Sequence, residues 1–213
     1  MRLRAQIDQI DQQILALLSD RLKMAEQVAA AKQTQSSVFR PEREAQLLSR
    51  LCNGADQRLQ PVIRAVWRAI ISAAIARQKA DFTIGSTRVG ENNATAFAAG
   101  QLAVQTASSQ AELCHQIEAG ILDIGIIVTS ELADIHNHIG LDKPVKIIAA
   151  LPLFREGKDA PSAFVLATDR PEASECDRYV IYDASSNEVR IFSEDELNAS
   201  SGLSVLGICT SIG

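Results

Sequence analysis

Apolar residues recur at alternating intervals of four and three from residue 3 to residue 28: Leu3, Ile7, Ile10, Ile14 and Leu17, then Met24 and Val28. Only a helix with a repeat near 3.5 residues keeps all of these on one stripe, so residues 3 to about 33 are expected to form one long amphipathic helix. At 1.5 Å per residue such a helix is ~45 Å long. Two shorter helices follow in the pattern. One runs from about Pro41 to Cys52 and is broken by Asn53-Gly54-Ala55-Asp56; the other runs from about Leu59 to Lys79, with Ile63, Trp67, Ile70 and Ala74 on its stripe. Two short helices do not easily cover so long a first one, so the pattern calls for an oligomer in which the long helix packs against a copy of itself.

After residue 80 the texture changes to short β-branched runs at 82–85, 102–107, 123–129, 145–154, 162–168, 178–183 and 203–211, separated by helical stretches such as 109–119. Strands alternating with helices imply an α/β layer. The segments 169–177 and 185–202 read as polar loops. The charges divide at the same place: residues 1–80 hold 13 of the 21 Lys and Arg but only 7 of the 26 Asp and Glu. The expected fold is α + α/β, with a helical domain over 1–80 and a small α/β domain over 81–213.

A basic helical module can serve nucleic acid, an anionic metabolite or an acidic partner domain. Trp67 is the only tryptophan, and there is no aromatic interleaving and no Lys/Arg run, so nucleic acid is not an expected partner. Neither a dinucleotide-binding glycine pattern nor a P-loop is present. The four cysteines, Cys52, Cys114, Cys176 and Cys209, are far apart, so reduced thiols and neither a metal nor a disulfide framework are expected. No apolar run reads as long enough to span a bilayer, and the opening MRLRAQIDQIDQQ is polar and periodic. A cytoplasmic protein without membrane contact is therefore the expectation.

Polar residues occupy several places where the stripes require apolar ones. Arg21 falls in the gap between Leu17 and Met24, Lys32 follows Val28 by four, Gln78 follows Ala74 by four, and Glu44 precedes Leu48 by four. One such residue is accounted for by snorkelling or by a register-fixing role. Four are not, because a buried charge without a partner is expensive and apolar neighbours offer Arg21 and Lys32 nothing to pair with. An anionic group is expected to fill that gap. Arg21 and Lys32 are ~16 Å apart along the axis but rotated by only about 20°, so their long side chains can converge on a small molecule. Arg4 lies ~25 Å from Arg21 on the same helix, and an antiparallel copy of that helix would deliver it to the same place. Arg40, Arg43 and Glu44 crowd the start of the second helix, where Pro41 suits a first helical position and Glu42 and Glu44 suit the positive helix N-terminus.

The segments LRAQIDQIDQQILALLSDR (3–21), VAAAK (28–32), VFRPEREAQLL (38–48) and VWRAIISAAIARQ (66–78) resemble, in order and spacing, the all-helical chorismate mutases. In particular they are similar to the module fused to prephenate dehydratase in bacterial bifunctional proteins. The resemblance implies an intertwined helical homodimer with shared sites and chorismate as substrate. It also implies a role for each matched residue. Arg4, from the partner subunit, and Arg21 bind the substrate carboxylates; Lys32 and Gln78 donate to the ether oxygen; Arg43 and Glu44 hold the ring hydroxyl. Arg40 stands where some members carry an aspartate, and Ala74 replaces a serine of the pocket wall.

Conversion of chorismate to prephenate is a unimolecular rearrangement that needs no nucleophile, metal or other cofactor. Cationic clamps can hold the dianion in a compact shape while Lys32 and Gln78 stabilise charge growing on the ether oxygen. The C-terminal part resembles a shortened, degenerate prephenate dehydratase domain. IEAGILDIGIIVTSEL (117–132) is similar to the stretch that leads into a Pro-Glu-Asn-Ser segment there, but reads VTSE, and in place of a Thr-Arg-Phe motif the nearest candidate is PSAFVLA (161–167). A mutase alone is the leading expectation. A bifunctional mutase/dehydratase, a non-catalytic helical dimer serving as ligand sensor or scaffold, and an isochorismate pyruvate-lyase on the same helical fold are the alternatives.

Overall fold

The structure is a computed structural model and describes residues 2–31, 37–153, 161–169, 177–183, 186, 188–193, 195 and 204–210. Helix α1 spans Arg2–Ala31, α2 Pro41–Asn53 and α3 Gln60–Gln78. Each follows from local chemistry. α1 contains neither Gly nor Pro and is rich in Ala, Leu and Gln. α2 opens on Pro41 with Glu42 and Glu44 in its first turn, carries Arg50 in its last, and stops at Gly54. A short 3-10 turn over Gln57–Leu59, capped by the Asp56 carboxylate accepting from the Arg58 N–H at 2.8 Å, leads into α3.

The apolar stripe of α1 is not the face that packs within the chain. No residue of α1 is buried, and Leu3 and Leu17 remain 76% and 69% exposed. The half-buried residues are Leu18, Arg21, Leu22, Ala25 and Ala29, on the neighbouring face toward α3. An ion pair between Glu26 and Arg77 at 2.8 Å also ties the two helices. The N-terminal half of the stripe, Leu3 to Leu17, is thus left uncovered by the rest of the chain.

The remainder forms one eight-stranded mixed sheet in the order β2-β1-β3-β5-β4-β8-β6-β7. Its strands are β1 (Thr83–Thr87), β2 (Ala103–Ala107), β3 (Ile124–Val128), β4 (Lys146–Leu151), β5 (Ala163–Ala167), β6 (Asp177–Asp183), β7 (Glu188–Phe192) and β8 (Ser204–Thr210). β1 pairs in parallel with β2 and β3, and β4 with β8; the other pairings are antiparallel. Central β5 is buried at every residue, as a strand covered on both faces requires. All seven β-branched runs are strands. The segment expected to be loop also contributes one, β7, in which Val189 and Ile191 turn toward the core while Glu188 and Arg190 face water. That alternation is only five residues long and is embedded in polar sequence.

Side chains alternate across the sheet and divide the core in two. On one face, helices α5 (Gln110–Glu118) and α6 (Leu132–Ile135) supply Leu113, Ile117, Leu132 and Ile135 to meet Phe164 and Leu166. On the other face, α4 (Glu91–Ala98) and the helical module share one cluster: Phe39, Ala45, Ile71 and Ile75 pack with Phe97, Ile126, Leu151 and Val165. The apolar core therefore crosses residue 80 without a break. Phe39 and Phe97 meet edge to face at 5.4 Å between centroids.

Among the described residues one helical stretch, Gln57–Gln78, is long and apolar enough by length and composition to cross a membrane, contrary to the expectation of no such run. Its apolarity has a use within the fold, since Ile71 and Ile75 are buried in the shared core. If the core is continuous, Phe97→Ala in α4 should cost about 3–4 kcal/mol. Urea unfolding followed through the fluorescence of Trp67 on α3 should shift to lower concentration with it. A Trp67 transition that does not move would show the two parts unfolding independently.

Candidate active site

Pro41 starts α2 so that Arg40 occupies the cap position, Arg43 the exposed side of the first turn and Glu44 the inner side, one residue before fully buried Ala45. Gln78 sits one turn beyond Ala74 at the end of α3. Its amide Nε2 donates to the Ala74 carbonyl at 3.1 Å, which leaves its second N–H for another acceptor. Arg21 reaches this region from the half-buried face of α1. These elements enclose a cavity of about 400 Å³ whose polar lining is Arg21, Arg40, Arg43, Glu44 and Gln78. Met24, Val28, Val38, Leu47, Ile71 and Ile75 supply the apolar wall, and Ala74 lies at the position noted above.

Five of the seven residues expected at the site thus line one cavity. Lys32 falls outside the described residues. Arg4 does not line the cavity; it is exposed near the far end of α1, and its 17-residue separation from Arg21 on a continuous helix amounts to ~25 Å.

The charges are unequal in their surroundings. Burial, and then the nearby Arg43, press Arg21 below its ordinary pKa, and the charge of an anion in the cavity would offset both effects. Glu44 is nearly fully buried, and burial raises its carboxyl above the usual carboxylate range while Arg68 pulls it back. Arg68 Nη1 donates to Glu44 Oε2 at 2.8 Å, and Arg68 Nε donates to Ser72 Oγ at 3.2 Å. With the Glu44 charge engaged by Arg68, three guanidinium groups face the cavity, a balance suited to a small dianion.

Residues 3–79 match the family model for chorismate mutase type II. Those residues are a chorismate mutase type II domain. It covers about a third of the chain and makes the protein an isomerase of the kind that converts chorismate to prephenate. No curated protein and no solved structure matches the chain.

Arg68 is the residue of this mutase domain that sequence reasoning missed. The stripe expected on Ile63, Trp67, Ile70 and Ala74 holds at Ile63 and Trp67, which pack on Leu48 and Cys52, and at buried Ala74, but the buried face widens to take in Ile71, Ser72 and Ile75. Arg68 lies three and four residues before Ile71 and Ser72, so a cation on the buried face was the available signal. Removing it should strand a buried carboxylate. Arg68→Met is expected to cost about 3–5 kcal/mol near neutral pH, as broken buried pairs do. A carboxyl whose pKa is raised by folding gains stability in its protonated form, fully present below the ordinary carboxylate pKa and lost as pH rises through the raised value. The penalty of Arg68→Met should accordingly shrink between about pH 7.5 and pH 5, as measured by urea denaturation at both. An equal penalty at both would mean that Glu44 does not carry the charge that Arg68 neutralises.

Proposed function

We propose that this chain rearranges chorismate to prephenate in aromatic amino acid biosynthesis, as a homodimer whose sites are shared and without dehydratase activity. The observation that carries this reading is the convergence of Arg21, Arg40, Arg43, Glu44 and Gln78 on one cavity inside the mutase domain. In this scheme Arg21 holds a substrate carboxylate, Arg43 and Glu44 bind the ring hydroxyl, and Arg40 adds a positive rim. Lys32 and Gln78 donate to the ether oxygen as the C–O bond breaks, so their hydrogen bonds strengthen in the transition state and raise kcat.

The second copy is argued from α1. Leu3, Ile7, Ile10, Ile14 and Leu17 are each more than half exposed along its N-terminal half, and burying one such side chain is worth ~1.5–3 kcal/mol. An antiparallel partner helix would cover them and bring its Arg4 to the other chain's cavity.

The reading of the C-terminal part as a degenerate prephenate dehydratase domain rests on its sequence. Its VTSE segment carries Glu131, 3% exposed. This carboxylate accepts hydrogen bonds from the Thr87 hydroxyl, the Val128 N–H at 3.1 Å and the Gln110 amide at 3.3 Å, so it acts as an internal anchor.

Loss of chorismate absorbance with product identification tests the function. Prephenate is the expected product, whereas phenylpyruvate, or pyruvate with salicylate, or no turnover would each overturn the reading. Gln78→Glu should lose activity at neutral pH and recover part of it in acid, because a carboxyl donates only when protonated. A near-normal rate with a flat pH profile would remove Gln78 from the ether oxygen.

Sharing of sites has its own measurement. Arg4→Ala and Lys32→Ala homodimers should each be nearly inactive. Refolded as an equal mixture, half of the dimers are mixed and one site in each is restored, so activity should return to roughly a quarter of wild type. No recovery, with heterodimers visible by native mass spectrometry, would place Arg4 outside the partner's site.

A further inference from the structure

A second cavity, of about 230 Å³, lies where α2, α3 and α4 meet the end of β4. Leu48, Phe97 and the run Leu151 to Leu153 make most of its wall apolar, and Arg64, Arg68, Asn93 and Ser162 contribute its polar groups.

The two cavities are joined by one ion pair. Glu44 lines the mutase site, and its partner Arg68 lines the second cavity. Arg68 is otherwise held from the α/β side. Its guanidinium lies 4.2 Å from the centre of the Phe97 ring, and Ser72, which accepts from its Nε, donates in turn to the Phe97 carbonyl at 3.0 Å. The remaining nitrogen, Nη2, is buried and has no hydrogen-bond partner among the described residues. A buried guanidinium nitrogen without an acceptor is unfavourable, and a carboxylate is the acceptor whose geometry fits it best.

We propose that this cavity binds a small monocarboxylate with an apolar or aromatic body, and that the bound ligand controls the mutase site through the Arg68–Glu44 pair. The apolar wall takes the body of the ligand, and Arg68, with Arg64 beside it, takes the carboxylate. A second carboxylate on Arg68 competes with Glu44 for its charge. Glu44, left with less compensation in a buried position, then turns away or takes up a proton, and substrate binding weakens. Binding at the cavity is independent of the proposed function, whereas the control it exerts rests on that reading.

The test uses the full chain and 3-phenylpropionate as the probe, with the neutral 3-phenylpropanamide for comparison. Calorimetric titration should show one saturable site per chain, with the amide at least tenfold weaker. Saturating 3-phenylpropionate should raise the KM for chorismate several-fold. Ala96, exposed at the cavity wall, offers a plug. Ala96→Trp should abolish probe binding and the change in KM while basal turnover stays at the wild-type level. Arg21→Ala should still bind the probe, which separates the two cavities. Failure of wild-type protein to bind, equal binding of the amide, or loss of binding in Arg21→Ala would overturn the site, as would retained binding in correctly folded Ala96→Trp. Binding without any effect on KM would overturn the control. Because the comparison of acid with amide uses unaltered protein, it decides the charge requirement even if Ala96→Trp does not fold. Binding in a chain that turns over no chorismate would remove the mutase reading and leave the site.

Discussion

Glu44 and Arg68 belong to different helices, and their contact at 2.8 Å is formed with side chains only 8% and 18% exposed. A charge pair so placed gives up much of its hydration, and each partner stays charged at reasonable cost only while the other is in position. The positions of α2 and α3 are coupled by this requirement, and so is the mutase cavity that lies between them and α1. The pair extends further, since Ser72 and Phe97 hold Arg68 from below and Phe97 belongs to a helix of the α/β part. A carboxylate that lines the cavity of the mutase domain is therefore oriented by groups supported from the other part of the chain.

The apolar core repeats that coupling on a larger scale. Phe39, Ala45, Ile71 and Ile75 face the sheet and α4 rather than a core of their own. The helical module keeps only a small cluster of its own, Leu48 and Cys52 with Ile63 and Trp67, and the long stripe of α1 is left outside both. The two faces of α1 consequently differ: Leu18, Leu22 and Ala25 pack toward the rest of the chain, while the stripe from Leu3 to Leu17 stays exposed. Arg21 sits between them, which is why it reaches a cavity while belonging by spacing to the outer stripe.

Much of the site was legible because its chemistry violates a pattern. A polar residue at a stripe position is conspicuous, and Arg21, Glu44 and Gln78 all turned up in one cavity. Arg68 was hidden because the buried face of α3 is wider than its apolar stripe, extending through Ile71, Ser72 and Ile75, and the half-buried cation lies on that extension. A helix that is apolar over most of its surface gives a weak phase signal, and α3 is such a helix. β7 escaped for a similar reason: five alternating residues within a long polar stretch do not rise above their surroundings.

The elements whose period is strong and whose length is sufficient can be read from the chain alone. The 3.5-residue repeat of α1, the Pro41 start of α2 and the β-branched strand runs each act over a few neighbouring residues, where backbone sterics and local side-chain chemistry dominate. Which faces those elements turn toward one another is set by the packing of the folded chain. The width of the buried face of α3, the cation that meets Glu44, the single core running across residue 80 and the cavity under Phe97 all depend on contacts between residues distant in the chain. Such contacts are chosen by the fit of whole surfaces, and no local pattern encodes that fit.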